Sequence, residues 1–152
     1  MAISSLAGKI IVLILLVVFS LIMSIHDIRS LEIPVKPFYA FCFLVILAQG
    51  VFFRQAVLWN IISGLIFIAL YFLLRWITRG HLGMGDVFFG LFQGFCIGPA
   101  VIWVCLAVET VAGLLAFLIL YLVKKEKGIK MPFIPFMSVG LLTAFILEWL
   151  VL

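Results

Sequence analysis

Asp27 and Asp86 are the two acidic residues, of six in the 152-residue chain, that stand where a carboxylate pair could do chemistry. Two neighbouring carboxylates cannot both ionise easily and tend to share one proton. One member can then draw a proton from water while the other polarises a carbonyl group. Titration belongs to the pair, so neither aspartate is assigned as the acid. No Ser/His/Asp or Cys/His set is arranged for a covalent acyl intermediate.

The elements that must position this pair are membrane helices. A chain that is 68% hydrophobic and 11% charged is too apolar to cover its own surface in water. Six apolar stretches follow one another: about 7–25, 37–53, 55–76, 84–97, 101–123 and 133–152. The expectation is an all-α polytopic membrane protein, a bundle of about six transmembrane helices forming a single domain over 1–152. Lys9 followed by an apolar run has the general shape of a signal peptide, but no small-residue cleavage site precedes His26. No fixed repeat and no Ser/Pro-rich linker divides the chain.

Basic residues in short loops stay on the cytoplasmic side. Arg29, Lys36, Arg75, Arg79, Lys124, Lys125, Lys127 and Lys130, eight of the ten, fall on one side, leaving Lys9 and Arg54 on the other. Loops 1, 3 and 5 are therefore expected in the cytoplasm and both termini outside. The net charge of +4 follows from this topology and does not indicate nucleic-acid binding. Cys42, Cys96 and Cys105 fall inside the spans and no CxxC pair occurs, so neither a zinc site nor another cofactor is expected.

The same topology puts Asp27, at the end of the first span, and Asp86, at the start of the fourth, on the cytoplasmic side, although 59 positions (86 − 27) separate them. The fourth stretch is short: Met84 to Ile97 covers about 21 Å as helix, against roughly 30 Å of hydrocarbon. With Gly98-Pro99 at the outer boundary, Asp86 lies roughly 10 Å below the cytoplasmic one. It follows the irregular segment His81-Leu82-Gly83-Met84-Gly85, which survives at depth only against protein or water. Gly83 and Gly85 permit unusual backbone angles and close approach of a substrate chain. Gly90, Gly94 and Gly98 strip one helix face of side chains, for tight packing of another helix or for a groove leading a substrate helix to Asp86.

Of the remaining acids, Glu32, Glu126 and Glu148 read as solvated surface groups. Glu109, inside the fifth stretch, is expected to hydrogen-bond Gln93 or Thr110, or to tune the aspartates by like-charge proximity. His26 and His81 flank the two aspartate segments and receive no role.

Three segments carry a resemblance. Gly83-Met84-Gly85-Asp86 has the form GxGD; Asp27 through Ile33-Pro34 has the form D-x5-I-P; and Pro132-Phe133-Ile134-Pro135-Phe136 has the form P-F-x-P-F. In this order, and over nearly the whole chain, they resemble the type IV prepilin peptidase family of intramembrane aspartyl peptidases. The resemblance implies removal of a short, usually basic leader from a prepilin or pseudopilin. Cleavage would fall just before the substrate's hydrophobic helix, at the cytoplasmic face of a bacterial or archaeal cytoplasmic membrane. Asp27 and Asp86 would be the catalytic pair, with Gly83, Gly85, Ile33, Pro34, Pro132 and Pro135 as motif support. The partners implied are the substrate helix and the bilayer; the oligomeric state is not indicated.

The chain departs from the family at Val35, usually Asn or Asp, at Phe88, where Lys is usual shortly after GxGD, and at Ile134, commonly Gly. It also lacks the cysteine-rich zinc segment of the bifunctional members, so the N-methyltransferase activity those members carry is not expected. Two rival readings stay open. One is a small proton- or cation-coupled carrier, which intramembrane acids and a broken helix would also suit. The other is a non-catalytic prepilin-binding component of a pilus or secretion assembly.

Overall fold

A backbone immersed in hydrocarbon must satisfy its own N–H and C=O groups, and this chain does so with helices. The structure, a computed structural model, describes residues 2–54, 56–80, 82–124 and 131–151. Its helices are α1 (Ala2–Ser30), α2 (Val35–Phe52), α3 (Val57–Ile77), α4 (Met84–Cys96), α5 (Ile102–Lys124) and α6 (Ile134–Val151). They match the six apolar stretches in order. α1 outlasts its apolar run, so that Asp27 sits in the last turn of the helix, at its end as expected.

Four helical stretches are long and apolar enough to cross a membrane: Leu6–Ser30, Val35–Phe52, Val57–Ile77 and Pro99–Leu122. The apolar part of α6, Ile134–Leu150, falls just short of that length. Phe43, Leu65 and Trp103 are 67%, 59% and 75% exposed on the outer faces, which is tolerable in lipid and not in water. The chain is a multi-pass membrane protein.

Each helix end is set by local chemistry. α1 closes with Leu31 at φ 55° and its N–H on the Asp27 carbonyl at 2.9 Å, and Pro34 then opens α2. α3 ends through Arg79 and Gly80 at φ 52° and 84°, with the Gly80 N–H on the Arg75 carbonyl at 2.8 Å. The reversal at Gly80 uses a backbone region that a Cβ disfavours.

α4 has only 13 residues and lies at the centre of the bundle, in contact with α2, α3 and α6. Val87, Phe89, Phe92, Gln93, Gly94 and Cys96 are all buried, so it shows little of itself to lipid. Its break comes at Ile97 and Gly98, both extended, before a single 3-10 turn over Pro99–Val101 leads into α5. The expected interruption at Gly98-Pro99 is therefore present.

The glycine stripe serves helix packing. A Cβ on Gly94 would come within 2.5 Å of the Gly64 backbone of α3, and one on Gly90 would strike the Tyr71 ring. Gly98 is covered from α6, where a Cβ would lie 2.5 Å from Glu148 Oε1. The stripe is thus occupied by the protein's own residues and is not an open groove for a substrate helix. On the opposite side of α4, Phe19 of α1 stacks on Phe89 (centroids 5.8 Å apart, planes within 5°) and meets Phe92 at 4.5 Å.

Candidate active site

Asp27 and Asp86 line one cavity of about 1120 Å³ at the end of the bundle where α1 turns into α2 and α4 begins. Ser30, Glu32, Ile33, Val35 and Phe38 complete one wall, and Gly83, Gly85, Phe88, Met131 and Phe133 another. Three carboxylates reach this lining, and no lysine or arginine does among the described residues. The cavity is large enough for an extended peptide segment and water.

Asp27 is 6% exposed, and its Oδ2 accepts the Ile134 backbone N–H at 3.0 Å. The segment Pro132-Phe133-Ile134-Pro135 explains that bond. Ile134 is the first residue of α6, and the N–H groups of a helix's first turn have no intrahelical acceptor, so it presents a donor not used by the helix. The third motif therefore holds the first aspartate. Ser24 Oγ donates to Ser138 Oγ at 3.3 Å and joins α1 to α6 on the same side.

Asp86 is the third residue of α4, and its Oδ2 accepts the Gly83 N–H at 3.1 Å. This is half of a capping box; the other half cannot exist, because glycine has no side chain. A carboxylate there also meets the positive end of the helix dipole. The N-cap itself is Gly83.

The two motif glycines do not adopt the unusual backbone angles expected of them. Gly83 has φ −62° and ψ 147°, ordinary extended backbone, and Gly85 lies inside the helix. Their missing side chains matter for contacts within the protein. A Cβ on Gly83 would come within 3.0 Å of Asp86 Oδ2, and one on Gly85 within 2.7 Å of Ile33 Cδ1. Gly85 is thus the point where GxGD meets Ile33-Pro34, and the three motifs converge on one place.

Several supporting groups had only a weak signal in the sequence. Arg75, at the end of α3, donates to the Leu82 carbonyl and pins the segment entering Gly83. From sequence it reads only as a topology marker. His26 Nδ1 lies 2.8 Å from Ser30 Oγ and 3.0 Å from the Glu32 carbonyl, tying the end of α1 to the turn that follows.

Glu109 is 2% exposed and lies in the bundle interior, off the lining of this cavity. Tyr71 donates to its Oε1, and Gln93 Nε2 donates to its Oε2 at 2.9 Å and to the Met137 carbonyl at 2.8 Å. The expected Gln93 partner is present; Thr110 is exposed and takes no part, and Tyr71 was not anticipated. The network joins α3, α4, α5 and α6. Glu148 is a correction. It is half-buried, and both its oxygens accept the Gly98 N–H, at 3.1 and 2.9 Å, because that N–H lost its helical partner where α4 breaks.

Glu32 is exposed, as a solvated group should be, but it faces the cavity. His81, Glu126 and the basic residues Lys125, Lys127 and Lys130 lie outside the described residues. Among the described residues no three His, Cys, Asp or Glu side chains converge as a metal-ligand set. No family model, curated protein or solved structure matches the chain.

Proposed function

We propose that the protein is an intramembrane aspartyl endopeptidase of the type IV prepilin peptidase kind, removing a short basic leader from a prepilin or pseudopilin-like substrate. The observation that carries this reading is the shared cavity, into which Asp27 from α1 and Asp86 from α4 both face. In the reaction, one carboxylate takes a proton from water as its oxygen attacks the scissile carbonyl carbon. The other, protonated, hydrogen-bonds the carbonyl oxygen. The tetrahedral adduct then collapses as the amine leaves with a proton, and the pair returns to sharing one proton.

The lining favours a basic leader, since three carboxylates and no lysine or arginine face it among the described residues. Cleavage would take place on the cytoplasmic side of the membrane, with both termini outside, if the basic loops set the orientation. Phe88, 39% exposed on the lining where the family usually has lysine nearby, favours a second reading, a prepilin-binding component without catalysis.

Co-expression with a tagged prepilin, in cells without a leader peptidase of their own for it, tests both. Wild type is expected to shorten the prepilin, and Asp27→Asn or Asp86→Asn to leave it full-length. A full-length prepilin captured by the wild-type protein would favour the binding reading instead.

A further inference from the structure

A second cavity, of about 270 Å³, lies among α1, α2, α3 and α6 and is lined chiefly by Lys9, Gln49, Asn60, Phe145, Glu148 and Trp149. Eighteen residues of α1 separate Lys9 from Asp27 (27 − 9 = 18). That is about 27 Å of helix, close to the roughly 30 Å of a bilayer's hydrocarbon core. The second cavity therefore lies at the opposite membrane interface from the aspartate pair, at the level of lipid headgroups.

Its charges are unusual for a site so near hydrocarbon. Lys9 and Glu148 both line it, yet no ion pair within 4 Å joins them. The carboxylate is held by the Gly98 N–H at 3.1 and 2.9 Å, which fixes it on the cavity wall beside the lysine. The amides are fixed as well. Asn60 Nδ2 donates to Gln49 Oε1 at 2.5 Å, and Gln49 Nε2 donates to the Cys96 carbonyl at 3.1 Å. Asn60 Oδ1 is left without a donor among the described residues, in a side chain only 7% exposed. The remaining walls are apolar, and Lys9 and Trp149 are half-exposed, so the cavity reaches the outer face of the bundle.

A guest carrying only negative charge would meet Glu148, and one carrying only positive charge would meet Lys9. A guest with both signs, separated as in a headgroup, satisfies each. The volume lies just under that of small-molecule sites, about 300–1,000 Å³, which suits a headgroup and no more.

We propose that this cavity binds the headgroup of a zwitterionic amino-phospholipid, with its phosphate at Lys9 and its primary ammonium at Glu148 and Asn60 Oδ1. The acyl chains leave along the apolar exterior. The proposal is independent of what the aspartate pair does.

Native mass spectrometry of the purified protein tests it, with equimolar dioleoyl phosphatidylethanolamine, phosphatidylcholine and phosphatidylglycerol added in detergent. Phosphatidylethanolamine should be retained preferentially, because the quaternary ammonium of phosphatidylcholine cannot donate a hydrogen bond and phosphatidylglycerol has no ammonium. Lys9→Gln and Glu148→Gln should each lower that retention about tenfold, the loss of one charge-assisted hydrogen bond. Lys9→Gln disturbs no backbone contact, so it remains informative should Glu148→Gln fail to fold. Equal retention of the three lipids, or unchanged phosphatidylethanolamine retention in Lys9→Gln, overturns the proposal. Soluble phosphoethanolamine is expected not to bind on its own; saturable binding of it together with no lipid preference would overturn the lipid as the source.

Discussion

Gly85 and Ile33 show how closely the site is fitted at the scale of single residues. The contact leaves no room for a methyl group, since a Cβ on Gly85 would lie 2.7 Å from Ile33 Cδ1 and 2.9 Å from its Cγ1. Gly85→Ala is therefore expected to slow leader removal, measured by prepilin processing in cells. Ile33→Ala in the same chain should restore part of it by removing both crowded atoms. A double variant no better than Gly85→Ala would mean that the two motifs do not share this contact in the working protein. Glu32 makes a different prediction. It is exposed on the lining of an acidic cavity, so Glu32→Lys should slow processing of a basic leader, and a leader recoded with acidic residues should recover. Equal processing of both leaders by wild type and variant would remove charge from the account of specificity. The aspartates themselves were legible in sequence because intramembrane acids are few and the topology puts them on one side. The bond that fixes Asp27 was not, because the Ile134 donor is a backbone group 107 positions away.

At the scale of elements, α4 decides the architecture. Its shortness and its break at Gly98-Pro99 could be read directly, because 13 or 14 residues cannot cross the hydrocarbon. Which neighbour fills its glycine stripe could not be read, since spacing alone suits a packed helix and a substrate groove equally. The structure gives Gly90 and Gly94 to α3 and Gly98 to α6. Gly94 meets backbone atoms of Ser63 and Gly64, which cannot step aside as a side chain could. Gly94→Ala should accordingly destabilise the protein by about 1–3 kcal/mol, the usual range for overpacking. Thermal unfolding in detergent, followed by the loss of monodisperse protein, would register this as a lower midpoint. An unchanged midpoint would show that α3 and α4 can separate without cost. The same limit of sequence reading applies to Glu148, taken as a solvated acid when its partner is a backbone N–H freed by the break.

At the scale of the whole molecule, the described residues enclose a cavity at each end of the bundle, one acidic with the aspartates and one mostly apolar that carries one charge of each sign. In the proposed orientation, the basic residues put the aspartate end in the cytoplasm. Arg79→Cys and Arg54→Cys, introduced with Cys42 replaced by serine, test that assignment, since the native Cys96 and Cys105 are buried. A membrane-impermeant maleimide should label Arg54→Cys in intact spheroplasts and Arg79→Cys only after permeabilisation. The reverse pattern would place the aspartate cavity outside. The most direct measurement of the central claim uses purified protein in lipid vesicles with a prepilin bearing a basic leader, its products identified by mass. Wild type should make a single cut between leader and hydrophobic helix, and Asp27→Asn or Asp86→Asn none. The same cut made by either variant at the wild-type rate would contradict the claim.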